Sequence, residues 1–177
     1  MKFVETKIPG VVIIELEKKR DERGFFARSW DDTIAAAHGC IMHTVQCNVS
    51  FNKKAGTLRG MHYQNEPYAE PKTVRCTRGS IYDVALDLRP DSKTFKQWTS
   101  VTLSEENHQV LYIPKGCAHG FQTLEDATEV FYQMGEYFHP ESTRGVRFDD
   151  PAFSIKWPEA ETRTVSEKDR SYPDWKA

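Results

Sequence analysis

The sequence predicts an all-β fold, a jelly-roll barrel in which two sheets pack face to face. Short runs of β-branched and aromatic residues recur along the chain, and Gly, Pro, Asn or Asp separates them. The sequence contains no alternation of strands with helices, no internal repeat and no low-complexity linker. The 177 residues, 38% of them apolar and 12% aromatic, are therefore expected to form a single domain, residues 1–177, around one core.

The N-terminal part of the chain contains the first predicted strands and a short helix. Residues 11–15, VVIIE, predict a buried strand, and residues 24–30, GFFARSW, predict a second strand with alternating faces. The charged run between them, residues 15–23, is typical of a solvated hairpin. Residues 31–38, DDTIAAAH, predict a helix, because the aspartates can cap its start, the alanines favour it and Gly39 can end it.

Further short strands follow along the chain. Each is rich in Val, Ile, Thr or aromatic residues and is bounded by turn residues. These predicted strands are residues 43–51, 58–64, 72–79, 80–88, 98–103, 110–114, 120–124 and 128–134. From Asp149 onwards the chain is rich in Pro and Trp, and this tail is expected to wrap around the barrel.

The charge balance and the cysteines exclude several classes of protein. The chain has 24 Lys and Arg against 26 Asp and Glu, so it lacks the basic field that would hold nucleic acid or an anionic membrane. Its four cysteines form no C-x-x-C pair, which favours reduced thiols over a zinc site or a disulfide framework. The apolar run near the N-terminus is too short for a signal peptide or a membrane span. A soluble cytoplasmic protein is expected.

Two histidines lie in strand-like segments, His62 in LRGMHYQ and His119 in IPKGCAHGF. A metal-binding cupin barrel normally has two histidines one residue apart, a carboxylate and a later histidine, whereas His62 is followed by Tyr63 and Gln64. The first half of such a ligand set is therefore missing. The sequence predicts no metal site, and acid–base chemistry is the better use of the two imidazoles.

Seven segments in order give the chain a resemblance to a known family. They are RDERGFF (20–26), LRGMHYQ (58–64), PKTVR with Lys72, IPKGCAHGF (113–121), VFYQM with Tyr132, HPESTRGVRFDDP (139–151) and VSEKDR (165–170). Together they resemble the dTDP-4-dehydrorhamnose 3,5-epimerase family of cupin enzymes, nearly from end to end. The resemblance implies an epimerase that needs no cofactor and inverts C3, C5 or both of a nucleotide-diphosphate 4-keto-6-deoxy sugar. It also implies a homodimer.

The resemblance assigns four residues to proton transfer. His62 matches the family's base, which removes the hydrogen next to the ketone, and Asp169 matches the carboxylate that orients this imidazole. Tyr132 matches the proton donor on the opposite face of the sugar. Lys72 matches the cation beside the C4 oxygen, where the charge of the enolate develops. A base, an acid and an electrostatic stabiliser are thus all implied.

The resemblance also implies a set of substrate-binding residues. A diphosphate favours arginines with forked donors, and apolar and polar side chains would line the nucleotide and sugar cleft. Read singly, such side chains are also typical of barrel packing or of a solvated strand face. The set comprises Arg23 and Arg59 for the diphosphate, His119 for a sugar hydroxyl or phosphate, Gln46 and Asn48 in the cleft, Phe26 as an apolar wall, and Lys168 beside Asp169.

Two positions depart from the family pattern where the ligand is expected. Arg28 stands where the family usually has a glutamate for the thymine edge, and a guanidinium suits the acceptor N3 of cytosine better than the N3–H of thymine. A surface role for Arg28 stays open. Phe138 stands where a tyrosine is frequent, so stacking is kept and a hydroxyl is lost. The candidates are therefore a dTDP-linked substrate, a CDP-4-keto-3,6-dideoxyglucose epimerised at C5 alone, and a non-catalytic sugar-nucleotide binding protein.

Overall fold

The protein is built almost entirely from strands, and a computed structural model describes residues 1–176. The strands are β1 (Lys2–Glu5), β2 (Val12–Glu15), β3 (Lys19–Asp21), β4 (Gly24–Phe26), β5 (Gln46–Asn52), β6 (Thr57–Gln64), β7 (Lys72–Arg78), β8 (Ser80–Asp87), β9 (Trp98–Ser104), β10 (Val110–Ile113), β11 (Cys117–Thr123), β12 (Thr128–Met134), β13 (Thr143–Gly145) and β14 (Thr164–Val165). The helices are α1 (Asp32–Ala37) and α2 (Glu167–Arg170).

Two sheets form the jelly roll. The first sheet has the strand order β1-β2-β10-β7-β12-β5, and the second has the order β13-β6-β11-β8-β9. Neighbouring strands in both pair antiparallel, and β14 adds to β6 in the parallel sense. Strands β3 and β4 form a separate, exposed hairpin between β2 and α1. The predicted all-β jelly-roll class is therefore confirmed.

Apolar side chains from both sheets meet in one core. Val74 and Val130 of the first sheet and Ile81, Ala85 and Phe121 of the second are at most 4% exposed and belong to the same cluster. Complete burial of a large apolar side chain contributes about 1.5–3 kcal/mol. This packing fixes the position of one sheet relative to the other. It therefore also fixes the side chains that each sheet directs into the space between the sheets.

The predicted helix is confirmed. The strand predicted from residue 43 begins at Gln46, the strand predicted from residue 120 begins at Cys117, and the strand predicted over residues 24–30 is shorter than expected. The side chain of Asp31 caps the first turn of α1, and Gly39 follows the helix with a φ of +76°. The strand predicted over residues 24–30 pairs only over Gly24–Phe26. Its partner β3 offers three residues, so the hairpin ends there and the chain turns towards α1.

The tail from Asp149 wraps the barrel as predicted, and it also builds part of the cavity wall. Phe153 and Ile155 pack against the second sheet. The chain then pairs with β6 as β14 and continues into α2, which lies beside the cavity. β14 has two residues and α2 has four, which is too short for a sequence pattern to show a periodicity. Tertiary contacts hold both elements in place.

Candidate active site

A cavity of about 760 Å³ opens between the two sheets. This volume lies within the usual range for sites that bind small molecules and cofactors. Its walls carry imidazole, phenol, ammonium, guanidinium and carboxylate groups. Imidazole, phenol and carboxylate groups can transfer protons, and the ammonium and guanidinium groups can bind an anionic substrate. The predicted site residues in this wall are Arg59, His62, Lys72, His119, Tyr132, Phe138, Lys168 and Asp169.

A β-bulge in β6 lets two residues at odd spacing face the same cavity. In a regular strand, residues three apart point to opposite faces of the sheet. Here His62 lies opposite His119 and Arg59 lies opposite Phe121, so β6 uses three residues where β11 uses two. The extra residue turns Arg59 and His62 to the same side, and both line the cavity.

Gly60 makes the close packing at the bulge possible. Its φ is +130°, and a Cβ at this position would lie 2.5 Å from Cα of Gly120, a backbone contact that no side-chain movement can relieve. The N–H of Gly60 donates to Asp169 Oδ2 at 3.2 Å. The glycine therefore brings β6 close to β11 and, at the same time, binds the helix that carries Asp169.

His62 and Asp169 form an imidazole–carboxylate pair. Nε2 of His62 lies 2.7 Å from Oδ1 of Asp169. Because a carboxylate can only accept, Nε2 carries the proton, and the Nδ1 lone pair is free to act as a base. The His62 side chain is 39% exposed and that of Asp169 is 5% exposed. The imidazole thus meets the cavity while the group that orients it is buried, as in known catalytic triads.

The surroundings of Asp169 favour its ionised form. Burial opposes ionisation, but hydrogen bonds from His62 and from the N–H of Gly60 outweigh it and hold the pKa of Asp169 below its usual value. Ser166 caps α2 by accepting from the N–H of Asp169 at 3.1 Å, which fixes the start of the short helix. A buried, ionised carboxylate stabilises the imidazolium that forms when His62 takes a proton.

Tyr132 and Lys72 face the cavity from the opposite sheet. They lie on the neighbouring strands β12 and β7, and Tyr132 is directly opposite Val74, two residues after Lys72. The period of two places Lys72 and Tyr132 on the same face of the first sheet. Burial raises the pKa of Tyr132, and the positive charge of Arg59 opposes this in part. The phenol therefore stays protonated near neutral pH, as a proton donor must.

Two carboxylates that the sequence analysis did not single out bind polar groups of the site. Asp83, which is fully buried, places Oδ1 at 2.6 Å from Nε2 of His119. Glu70 places Oε1 at 2.7 Å from Nζ of Lys72. A charged residue between Tyr82 and Val84, in the interior of β8, was a usable signal for Asp83. For Glu70, the spacing of two residues from Lys72 was a usable signal.

The hairpin residues predicted to bind the substrate lie outside the cavity lining. Phe26 is 70% exposed, and the Arg23 side chain is 83% exposed. Arg28, which follows the hairpin, donates from Nη1 to Oδ2 of Asp31 at 2.9 Å, next to the start of α1. Within a single chain, the structure does not bring these three side chains to His62, Tyr132 and Lys72.

Gln46 and Asn48 lie on β5, outside the set of residues that line the cavity. Asn48 is directly opposite Tyr132 on the neighbouring strand, and it accepts a hydrogen bond from Gln46 Nε2 at 3.2 Å. Oε1 of Gln46 accepts from the N–H of Phe138 at 3.2 Å. Phe138 is 56% exposed at the cavity mouth. Gln46 therefore supports the position of Phe138, and Asn48 lies on the same face of the sheet as Tyr132.

Among residues 1–176, no three His, Cys, Asp or Glu side chains come together in the way that a metal site requires. The imidazoles of His62 and His119 each bind a carboxylate instead. No helix in this part of the chain is long and apolar enough to cross a bilayer.

A family model described as dTDP-4-dehydrorhamnose 3,5-epimerase matches residues 5–177. The chain belongs to this family. The predicted resemblance is thereby confirmed, and the protein is a carbohydrate epimerase, a member of the isomerases.

Similar members of the epimerase family match over nearly their whole length. The dTDP-4-dehydrorhamnose 3,5-epimerase of Escherichia coli (strain K12) is 43% identical over 171 residues, which cover 96% of this chain and 91% of the relative. The Bacillus anthracis epimerase, solved with TDP and PPi bound, has a TM-score of 0.93 and 41% identity, with coverage of 98% of this chain and 99% of that chain. A Legionella pneumophila 3,5-epimerase in complex with dTDP-4-keto-L-rhamnose has a TM-score of 0.90 and 36% identity, with 99% coverage of both chains.

Proposed function

We propose that the protein inverts C3 and C5 of a dTDP-linked 4-keto-6-deoxyhexose by proton transfer through enolates. The observation that carries this proposal is the placement of His62 and Tyr132 on opposing sheets, with the cavity between them. Epimerisation removes a proton from one face of the sugar and returns a proton to the other face. A base and an acid on opposite walls can perform both steps without turning the ring over.

The first step is proton abstraction by His62. Its Nδ1 takes the proton from the carbon next to the C4 ketone, and the electron pair of the C–H bond moves to form an enolate with its charge on the C4 oxygen. Asp169 stabilises the imidazolium, and the ammonium group of Lys72 stabilises the enolate oxygen. A positioned general base of this kind typically contributes about 10²- to 10⁴-fold to the rate.

The second step is proton return by Tyr132. The phenol donates its proton to the same carbon from the opposite face, and the enolate becomes a ketone again. His62 then loses its proton to solvent and Tyr132 regains one, so the reaction neither consumes nor releases protons. C3 and C5 both flank C4, so one base, one acid and one cation can serve both carbons while the ketone stays beside Lys72.

Two observations support dTDP rather than CDP as the carrier of the sugar. The solved relatives hold TDP with PPi or dTDP-4-keto-L-rhamnose. Arg59 and Lys168 line the cavity and supply positive charge for the diphosphate, which both carriers share. Arg28 gave the reason to consider cytosine, yet it binds Asp31 and does not line the cavity. Within a single chain, the base contact on which the CDP alternative depended therefore has no support from the position of Arg28.

Incubation with a dTDP-4-keto-6-deoxyglucose in deuterium oxide tests this function. We expect NMR to show deuterium at C3 and C5 of an inverted product, with much slower turnover of the CDP-linked sugar. Deuterium at C5 alone would indicate an epimerase of a single centre. Tight binding of dTDP without any exchange or inversion would contradict the enzymatic proposal and favour a binding protein.

We also propose that the protein works in the cytoplasm. Cys40, Cys76 and Cys117 are buried free thiols, and burial raises the pKa of Cys117 to about 12. Such thiols stay protonated and unreactive. Free cysteines without disulfides are typical of proteins in a reducing compartment, which supports this location.

We propose that the protein is a homodimer. β5 lies at the edge of the first sheet, and its residues Val49 and Phe51 are 62% and 50% exposed. An edge strand with exposed apolar side chains is prone to pair with another chain unless it is covered. A second copy presents the same strand and can cover it about a twofold axis. Light scattering at micromolar concentration should give twice the chain mass, and a monomer would contradict this proposal.

A dimer can also bring the hairpin residues to a nucleotide. Arg23 lies outside the cavity of its own chain, so a second copy is the route by which it could reach the ligand. Mixing His62→Ala chains with Arg23→Ala chains tests this, because a mixed dimer would then contain one site with both changes and one intact site. We expect activity to reappear on mixing. The control pair is His62→Ala with Lys72→Met, whose residues line one cavity and should give no recovery. Recovery by neither pair would show that Arg23 does not act across the interface.

A further inference from the structure

Glu70 and Lys72 form a buried ion pair in the cavity wall. Their side chains are 3% and 7% exposed, and Oε1 of Glu70 lies 2.7 Å from Nζ of Lys72. Both residues line the cavity. An ammonium group that is removed from water without a partner is strongly unfavourable, so a carboxylate at this distance is what allows a charged lysine to lie in such a wall.

The second oxygen of Glu70 is anchored as well. Oε2 accepts from the backbone N–H of Gln64 at 3.0 Å. Gln64 is itself 4% exposed, and its side-chain amide donates to the carbonyls of Tyr68 and Tyr137 and accepts from the N–H of His139. The carboxylate of Glu70 is therefore held between a fixed backbone donor on one side and Lys72 on the other.

This anchoring matters because a lysine side chain is flexible. The ammonium sits at the end of a four-carbon stem and can donate in three directions. A fixed acceptor takes one of these three N–H groups and thereby sets the position of Nζ and the direction of the other two. Stabilisation of a developing oxyanion depends on donors that are already in place before the charge forms.

We infer that Glu70 is a positioning residue that holds the ammonium group of Lys72 in place for the enolate oxygen. This inference rests on the proposed function, in which Lys72 lies beside the C4 oxygen. In this role Glu70 acts through Lys72 and not on the substrate itself. Through Gln64, the same carboxylate also connects the lysine to residues 137–139 at the cavity mouth. Glu70 could therefore have a purely structural role, and an experiment must distinguish that role from the positioning of Lys72.

A double-mutant cycle separates the two roles. The single variants are Glu70→Met and Lys72→Met, and the double variant replaces the ion pair by two apolar side chains of similar length, which removes the buried charges together. Removal of one oxyanion donor typically lowers kcat by about 10²- to 10³-fold. We expect a loss of this size for Lys72→Met and a loss of about 10-fold or more for Glu70→Met. In the Lys72→Met background, Glu70→Met should change kcat by less than about twofold, because its action passes through the lysine.

Two further variants complete the test. Glu70→Gln keeps one accepting oxygen, so we expect it to retain more kcat than Glu70→Met, with unchanged affinity for dTDP. Asp87→Asn is the matched control, because Asp87 is a fully buried carboxylate that pairs with Arg89 at 2.8 Å away from the cavity lining. It should lower the free energy of unfolding without lowering kcat.

The outcomes distinguish this inference from the proposed function. If the wild type epimerises the dTDP sugar and Glu70→Met lowers kcat by the same factor with and without Lys72, the positioning role is wrong and the function stands. The positioning role is also wrong if Glu70→Met weakens dTDP binding as much as it lowers kcat. If the wild type binds dTDP but does not turn the sugar over, the proposed function itself fails.

Discussion

Replacing Asp169 by asparagine tests the pairing of the base with its carboxylate. Both oxygens of Asp169 accept hydrogen bonds, Oδ1 from His62 Nε2 at 2.7 Å and Oδ2 from the N–H of Gly60 at 3.2 Å. Asparagine has only one accepting oxygen, so its NH₂ group must face one of these two donors. When it faces His62, the imidazole has to accept at Nε2 and carry its proton at Nδ1, where it can no longer act as a base.

The expected magnitude follows from these contacts. A hydrogen bond to a charged group contributes about 1.5–3 kcal/mol, which corresponds to about 10- to 150-fold in rate. The wrong tautomer adds to this loss, and the analogous change in a serine protease triad lowers kcat by about 10⁴. We therefore expect Asp169→Asn to lower kcat by about 10²- to 10⁴-fold. Affinity for dTDP should change by less than about twofold, because Asp169 is buried and both of its oxygens are bonded within the protein.

The assay is steady-state epimerisation, with dTDP binding and urea unfolding measured on the same samples. Asp150→Asn is the matched control, because Asp150 is a buried carboxylate of the same tail that accepts from the N–H groups of Ala152 and Trp175 at 2.8 and 2.6 Å, outside the cavity lining. It should lose stability and keep its turnover. A folded Asp169→Asn protein that keeps a third or more of the wild-type kcat would refute the role of the pair.

Three other changes have expected outcomes. Gly60→Ala should lower the free energy of unfolding by about 2–4 kcal/mol in urea titrations, because Gly60 has a φ of +130° and the added Cβ would meet the backbone of Gly120. An unchanged urea midpoint would contradict this. Arg28→Glu should leave the ratio of CDP to dTDP affinity unchanged, because Arg28 pairs with Asp31; a shift towards dTDP in competition binding would show that the arginine reaches the base. Burial would raise the pKa of Asp87, but the hydrogen bonds led by Arg89 lower it to about 2. Asp87→Asn should therefore cost about 2 kcal/mol at pH 7, and this difference from the wild type should disappear as the pH falls from about 4 to about 2.

The strand pattern was predictable because its physical cause is local. Alternating apolar residues with turn residues between them set the positions of β7, β8 and β12 to within about a residue, and the Asp cap with the following alanines set α1. The strand predicted over residues 24–30 was too long because its length depends on how much of β3 is available as a partner. Pairing of that kind is a tertiary property.

The candidate site was predictable only in part, for a related reason. His62 and Tyr132 lie in segments that resemble the family, so their presence could be read from the sequence, whereas their placement on opposing walls required the sheet topology. Asp83 and Glu70 were missed because each acts through a contact within the fold rather than within a motif. The position of Arg28 beside Asp31 likewise could not be distinguished from a position in the pocket without coordinates.

The most direct test of the central claim, that base and acid act from opposite walls, compares two variants in deuterium oxide with the dTDP-4-keto sugar. Tyr132→Phe keeps the base and loses the returning proton, so it should incorporate deuterium at the carbons beside the ketone while inverting neither. His62→Ala loses the base, so it should neither incorporate deuterium nor invert. A folded His62→Ala protein that exchanges at the wild-type rate, or a Tyr132→Phe protein that inverts at that rate, would contradict the account.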